Sequence, residues 1–461
     1  MADQSKATTT TEPSQAGRVW ASSFIGGAIE FYDFSIYSTA ASLVFASLFF
    51  SELPPAIGLV ASFGTLAAGY AARPIGGIIF GHFGDKVGRK KTLIITIVVM
   101  GLATFLVGLL PTTAMVGPAA AVMLITLRLI QGLAVGGEWG GGVVLTSEHA
   151  PKGRRALMGT ATTMGSAAGL LLGFGAFAIV IPATGDNFMT WGWRIPFLVT
   201  VVLFILAIYM RLRVKESETM VKRRAEIIEA EAAGQKFENP FGAVLRSNWR
   251  WVIIGALIFT GPFLIQNLML TFWVAYSVGT SGISQGTIVN VGMIALAVCL
   301  VLLPVAAMLG DKYGQRKVIL WGIGLQVINS ILVVPMLSSG SFGMLITSYV
   351  LVFAIHAFIL GPLTAVYVEL FPTKNRYTGV SVTYQLASLL GGGLGPLAAQ
   401  SLFASGVNVW PIALGVTVLC AVAFLATLTV RKSEEIDLHD IADDGGRIVE
   451  PVRGPAAVSN G

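Results

Sequence analysis

The sequence predicts an all-α polytopic membrane protein of twelve transmembrane helices in two pseudo-symmetric six-helix halves, and three observations lead there. Of 461 residues, 54% are hydrophobic and only 12% charged, whereas soluble domains run at about a quarter charged. Mean hydropathy is +0.77. Apolar runs long enough to cross a bilayer, which takes ~20 helical residues for a ~30 Å core, recur twelve times. Two polar motifs then appear at corresponding places in the first six and the last six runs. A soluble helical protein would keep a polar face on its helices, and these runs have almost none.

Taken in order, residues 1–17 form a polar tail, and Met1 to Gln15 lacks a signal-peptide core, so no cleavage is expected. The first half, 18–212, holds spans at about 20–48, 57–82, 92–110, 118–147, 156–182 and 193–212. A charged central linker covers 213–250. The second half, 251–432, holds spans at about 251–277, 286–309, 318–337, 342–370, 379–403 and 409–430. Residues 433–461 are a short acidic tail without heptads. Between spans 2 and 3 lies "DKVGRKK", starting at Asp85; "DKYGQRK", starting at Asp311, joins spans 8 and 9. Glu148 opens "EHAPKGRR" after span 4 and Glu369 opens "ELFPTKNR" after span 10, both reading E-x-x-P-x-x-x-R. Parallel repeats of this kind mark alternating-access transporters.

Lys and Arg fall on one side. Arg18, Lys86 to Lys91, Lys152 to Arg155, Arg211 to Arg250, Lys312 to Lys317, Lys374 to Arg376 and Arg431-Lys432 occupy alternate connections. The opposite loops contain none, with only Arg194 nearby at the start of span 6. The positive-inside rule then puts both termini in the cytoplasm. The net charge of +6 therefore carries topology and does not point to nucleic acid. Cys299 and Cys420 lie inside spans and read as apolar filler.

The loop 2–3 motif, its loop 8–9 echo and "RLIQG" (128–132) resemble signatures of the major facilitator superfamily. "IEFYDF" (29–34), "RPIGGIIFGHFGD" (73–85), "GGEWGG" (136–141), "WGWRIPF" (191–197) and "ELFP" with "RYTG" (369–379) resemble its metabolite:proton symporter branch, over about 18–432. The resemblance implies the major facilitator fold, no enzyme activity, no cofactor beyond the proton gradient, and import of a shikimate-like organic acid across a bacterial inner membrane. A proline- or betaine-type proton symporter is the alternative, and a multidrug antiporter a lesser one. Expected partners are a small anionic substrate, protons and the bilayer, with no nucleic acid, for a chain acting as a monomer.

The repeated loop motif reads as a cytoplasmic gate. Gly81 and Gly84 let span 2 approach another helix, and Gly88 follows in the turn. The resemblance implies that Asp85 accepts hydrogen bonds from the N-terminus of span 11. Arg89 can reach Glu148, and in the second half Asp311 and Glu369 are expected to do the same with Arg316. A weaker second latch is expected, because Gln315 stands where the first copy has Arg89. Cations that merely fix topology would explain Lys90 and Lys91 but not the matched Asp, Gly and Glu.

Charges within spans are functional by default. Glu30 and Asp33 are three apart on one helical face of span 1. Span 2 carries Arg73, and span 4 carries Arg128 and Glu138. Three acids face two arginines, so one acid should take up a proton, as symport needs. In the related sugar porters a span 1 acid and the span 4 Arg are the coupling pair, which implies Asp33 with Arg128. A static network holding spans 1, 2 and 4 is the other reading. Arg73 can bind a substrate carboxylate bidentately, or it can simply neutralise Glu30. Arg194, Gln266, Asn267, His356, Tyr384 and Gln385 complete the expected substrate contacts. No metal-ligand spacing, nucleophile–base set or Walker loop appears in the sequence.

Overall fold

In the computed structural model, the described residues are 13–430 except 88, 152, 214–241, 243, 373 and 374. Ten helices among them are long and apolar enough to cross a membrane. Spans 1 and 2 are present as helices of comparable length, Pro13–Ala40 continued by Ala41–Phe49, and Pro55–Val87. Their apolar character is diluted by Glu30, Asp33 and Arg73, so ten of the twelve expected spans qualify by composition while all twelve positions are helical. Spans 3, 5 and 6 are single helices, Arg89–Leu109, Arg155–Thr184 and Ile195–Arg213. Spans 8, 9, 10 and 12 are Gln285–Tyr313, Gln315–Ser338, Phe342–Glu369 and Val409–Thr429.

Span 1 widens at Ala41–Phe45, and spans 4, 7 and 11 are interrupted more strongly. Span 4 runs as Ala119–Val135 and Glu138–Glu148, loosened at Gly136-Gly137. Span 7 runs as Trp249–Leu270 and Phe272–Ser281, broken at Thr271. Span 11 is Arg376–Ser388, a wide turn at Leu389–Leu394, then Gly395–Ala404. That turn is "LLGGGL", and its glycines admit the neighbours: a Cβ on Gly393 would sit 2.7 Å from the Cβ of Tyr70. The glycine-rich stretch therefore serves helix packing.

Within the first half, span 5 packs most extensively on span 1, and span 2 on span 4; in the second, span 10 lies between spans 8 and 9. The halves meet where span 5 touches spans 8 and 10, and where span 11 touches spans 2 and 4. The basic connections gather at one end. There the Lys90 ammonium donates to the Leu212 carbonyl of span 6 (2.9 Å), and Arg316 donates to Thr427 and Leu428 of span 12 (3.2 and 2.6 Å). Lys90 and Arg316 occupy the same position in the two motif copies, and each caps the last helix of its own half.

A buried ion cluster and a closed basic end

Asp33 is a buried charge with several hydrogen-bond donors. It is 2% exposed and accepts from Arg128 Nη1 at 3.5 Å, Gln131 Nε2 at 3.0 Å and Thr104 Oγ1. Arg128 lies with its guanidinium 4.0 Å from the Tyr37 ring centroid and also donates to Gln131 Oε1 at 3.3 Å. Tyr37 in turn donates to Thr65 Oγ1 at 2.9 Å. Helical spacing explains the assembly: Arg128 and Gln131 are three apart on span 4, facing Asp33 of span 1, while Thr104 closes the site from span 3.

Glu30, one turn away, is different. It is 1% exposed, and among the described residues no group hydrogen-bonds either carboxyl oxygen. Arg73, Glu138 and Asp33 are the charges that act on it. Arg73 is 4% exposed, has no ion pair among the described residues, and stacks 4.2 Å above Tyr70 and 6.0 Å from Phe34. Glu138 opens the second segment of span 4, where the helix dipole favours an acid, and its Oε2 accepts from Thr96 at 3.0 Å.

The expected substrate residues separate into three places. Gln266 and Tyr384 line a narrow central cavity with Phe31, Trp139, Phe259 and Phe263. Trp139 and Tyr384 stack across the halves with ring centroids 3.7 Å apart. Asn267 accepts from the Tyr70 hydroxyl at 3.5 Å, which links it to the ring under Arg73. His356 is fully buried beside Phe259, with 5.7 Å between ring centroids. Gln385 donates to the Gly136 and Val135 carbonyls at 3.2 and 3.5 Å, so it faces the joint of span 4. Arg194 is elsewhere: it donates to Gly108 and Leu110 at 2.9 and 2.7 Å, closing the end of span 3. There it serves as a helix cap, because the end of span 3 leaves those carbonyls open.

At the basic end the halves are closed on each other. Asp311 of span 8 accepts from the backbone N–H groups of Ala156 and Leu157, both at 3.0 Å, at the N-terminus of span 5. Glu148 of span 4 and Arg376 of span 11 approach to 4.0 Å. Gly81 approaches span 11 so closely that a Cβ there would lie 3.1 Å from Thr378 Oγ1. The side chains of Asp85 and Arg89, and Gly88 altogether, lie outside the described residues. Arg316, expected to serve Asp311 and Glu369, is taken up by span 12. Glu369 is half-buried at the end of span 10. The second motif copy thus makes its contact across the halves through the N-terminus of span 5, whose backbone N–H groups supply the donors to Asp311.

Sequence reasoning missed Gln131, Thr104, Tyr70, Tyr377 and the partner choice of Arg376. Gln131 stood inside the quoted "RLIQG", and Tyr70 lies three residues before Arg73 on the same face, so a signal existed for both.

The sequence profile described as Major Facilitator Superfamily matches residues 23–396 and 263–453. The shikimate transporter of Escherichia coli K12 is 34% identical over 424 residues, covering 91% of this chain and 96% of that one. The inner membrane metabolite transport protein YhjE of the same organism is 34% identical, covering 85% and 89%. Among solved structures, the proton:xylose symporter XylE bound to 6-bromo-6-deoxy-D-glucose superposes with a TM-score of 0.73 at 18% identity, covering 91% and 96%.

Proposed function

The chain belongs to the Major Facilitator Superfamily, and from that premise we propose that it is a proton-coupled symporter importing a small organic acid by alternating access. It is a multi-pass membrane transporter and not an enzyme. One observation carries the finer reading: a buried acid–base cluster lies beside an arginine that has no ion pair among the described residues. Arg73 has its guanidinium available for a carboxylate, and Glu30 and Asp33 lie on the adjacent helix for the proton. Relatives named for shikimate and for inner-membrane metabolite transport support an organic acid and an inner-membrane location. The bias of basic loops supports cytoplasmic termini, and one central cavity lined by both halves of a single chain supports a working monomer.

Aromatic rings on both sides of the central cavity suit a compact ring-bearing acid. The cavity is narrow with the basic end closed, so a substrate must enter as the opposite end opens. Uptake of labelled shikimate, succinate, benzoate and proline in a transport-deficient bacterial strain tests this. Accumulation of one of the acids that collapses with a protonophore and ignores sodium supports it. Uptake of proline alone, or a requirement for sodium, overturns it.

A further inference from the structure

We propose that Glu30 is the residue that carries the coupled proton, and that its carboxylate and the substrate carboxylate compete for the single guanidinium of Arg73. Asp33 stays ionised throughout as the anchor of Arg128. This rests on the reading of the protein as a proton:organic-acid symporter and goes on to assign which acid moves the proton and why the two loads travel together.

The two acids of span 1 sit in opposite surroundings. Asp33 has the hydrogen bonds a carboxylate requires, from Arg128, Gln131 and Thr104. Removing its charge would strand Arg128, whose one ion pair among the described residues is this one at 3.5 Å. Glu30 accepts no hydrogen bond from the described residues and is equally buried. A charge without donors in such a place is unfavourable, whereas a neutral carboxylic acid is tolerated. The groups facing it point the same way. Its own helix presents Asp33 and span 4 presents Glu138, both acids; span 2 presents Arg73 and Tyr70, and span 11 presents Tyr384. Spans 5 and 6, which also pack on span 1, add no charge acting on it among the described residues.

Once Asp33 is matched with Arg128, and Glu138 with Thr96 and a helix N-terminus, Glu30 and Arg73 remain. Two combinations leave this pair neutral in sum. One is protonated Glu30 with a substrate carboxylate on Arg73; the other is ionised Glu30 itself paired with Arg73. The mixed combinations, proton without anion or anion without proton, leave one net charge on the Glu30–Arg73 pair and are disfavoured for the conformational change. One O–H bond of Glu30 therefore forms outside and breaks inside per substrate carboxylate moved, with the proton passing to water as the anion leaves Arg73. One proton then enters with each carboxylate. Between them the empty carrier returns with the Glu30–Arg73 pair closed.

Infrared difference spectra of the purified full-length protein in lipid nanodiscs, taken between neutral and alkaline pH, read the protonated carboxyl directly and need no substrate. The wild type should show a buried carboxylic-acid C=O band that disappears as pH rises. Glu30→Gln should abolish that band, Glu30→Asp should shift it, and Asp33→Asn should leave it in place. A band that survives Glu30→Gln, or is lost only with Asp33→Asn, overturns the proposal. Should Glu30→Gln fail to fold, an unmoved band in Glu30→Asp overturns it equally. In proteoliposomes with labelled shikimate, Glu30→Gln should reach equilibration but no accumulation under an acid-outside gradient. Wild-type protein that moves no tested acid with protons would overturn the symport reading instead, while the spectra still report on Glu30.

Discussion

The Asp33 carboxyl has three donors on two spans, and their removal should be unequal. Thr104→Val deletes one hydroxyl from a charged acceptor, a loss of about 1.5–3 kcal/mol. Initial uptake should fall roughly ten- to hundredfold, with expression preserved, when assayed in membrane vesicles; an unchanged rate would mean that Thr104 only packs. Arg128→Gln leaves Asp33 buried without its countercharge, a change of ~3–5 kcal/mol, so uptake should vanish and the protein should melt at lower temperature. Asp33 and Arg128 were legible from the sequence because charges in apolar spans stand out. Thr104 was not, and Gln131 was visible only as a letter of "RLIQG", since uncharged polar residues are common in spans and only the approach of spans 3 and 4 to Asp33 gives these two a purpose. The cap that Arg194 places on span 3 was not legible either, because it depends on where span 3 ends, which a linear reading places only to within a few residues.

Span 4 loosens at Gly136-Gly137, and the carbonyls around that joint accept from the other half. Tyr377 donates to Gly137 at 2.7 Å, and Gln385 donates to Gly136 and Val135. Gly141 makes room for the Tyr377 ring, since a Cβ would fall 2.6 Å from its hydroxyl. These contacts belong to the state with the basic end closed and must part when it opens. Tyr377→Phe removes one buried hydrogen bond, about 1 kcal/mol, enough to move a two-state balance several-fold. Thiol labelling of Val380→Cys, in a background with Cys299 and Cys420 replaced by serine, should speed up by that factor. Gly141→Val should hold the basic end open, with fast labelling and little uptake. Labelling that stays slow in both variants would show that the joint does not move. "GGEWGG" was legible as a motif, but its opposition to span 11 is a tertiary fact that spacing within one helix does not contain.

At the scale of the molecule, two copies of one motif do one job inside each half and meet the other half with what is locally at hand. Lys90 and Arg316 cap spans 6 and 12, which the repeat predicts only after the halves are superposed in space. Asp311 clamps the N-terminus of span 5, and Glu148 approaches Arg376, so the closed end is stitched by partners from opposite repeats. Because Asp311 is partly exposed, its charge is worth on the order of 1 kcal/mol here. Asp311→Asn should therefore raise labelling of Leu157→Cys several-fold while leaving the folded fraction unchanged; loss of protein from the membrane would assign the residue to folding alone. Fold class, repeat and span positions were legible because bilayer thickness and loop charge leave a linear record. The cross-half partners were not, since no periodicity encodes them. The central claim is that a proton gradient drives an acid inward through this cluster. Purified protein in proteoliposomes, with membrane potential clamped and a pH-sensitive dye outside, tests it most directly. Addition of labelled shikimate should alkalinise the outer medium as label enters, one proton per carboxylate, and an imposed acid-outside gradient should concentrate the label. Label that enters without any proton movement, or accumulates only with sodium, would contradict the account.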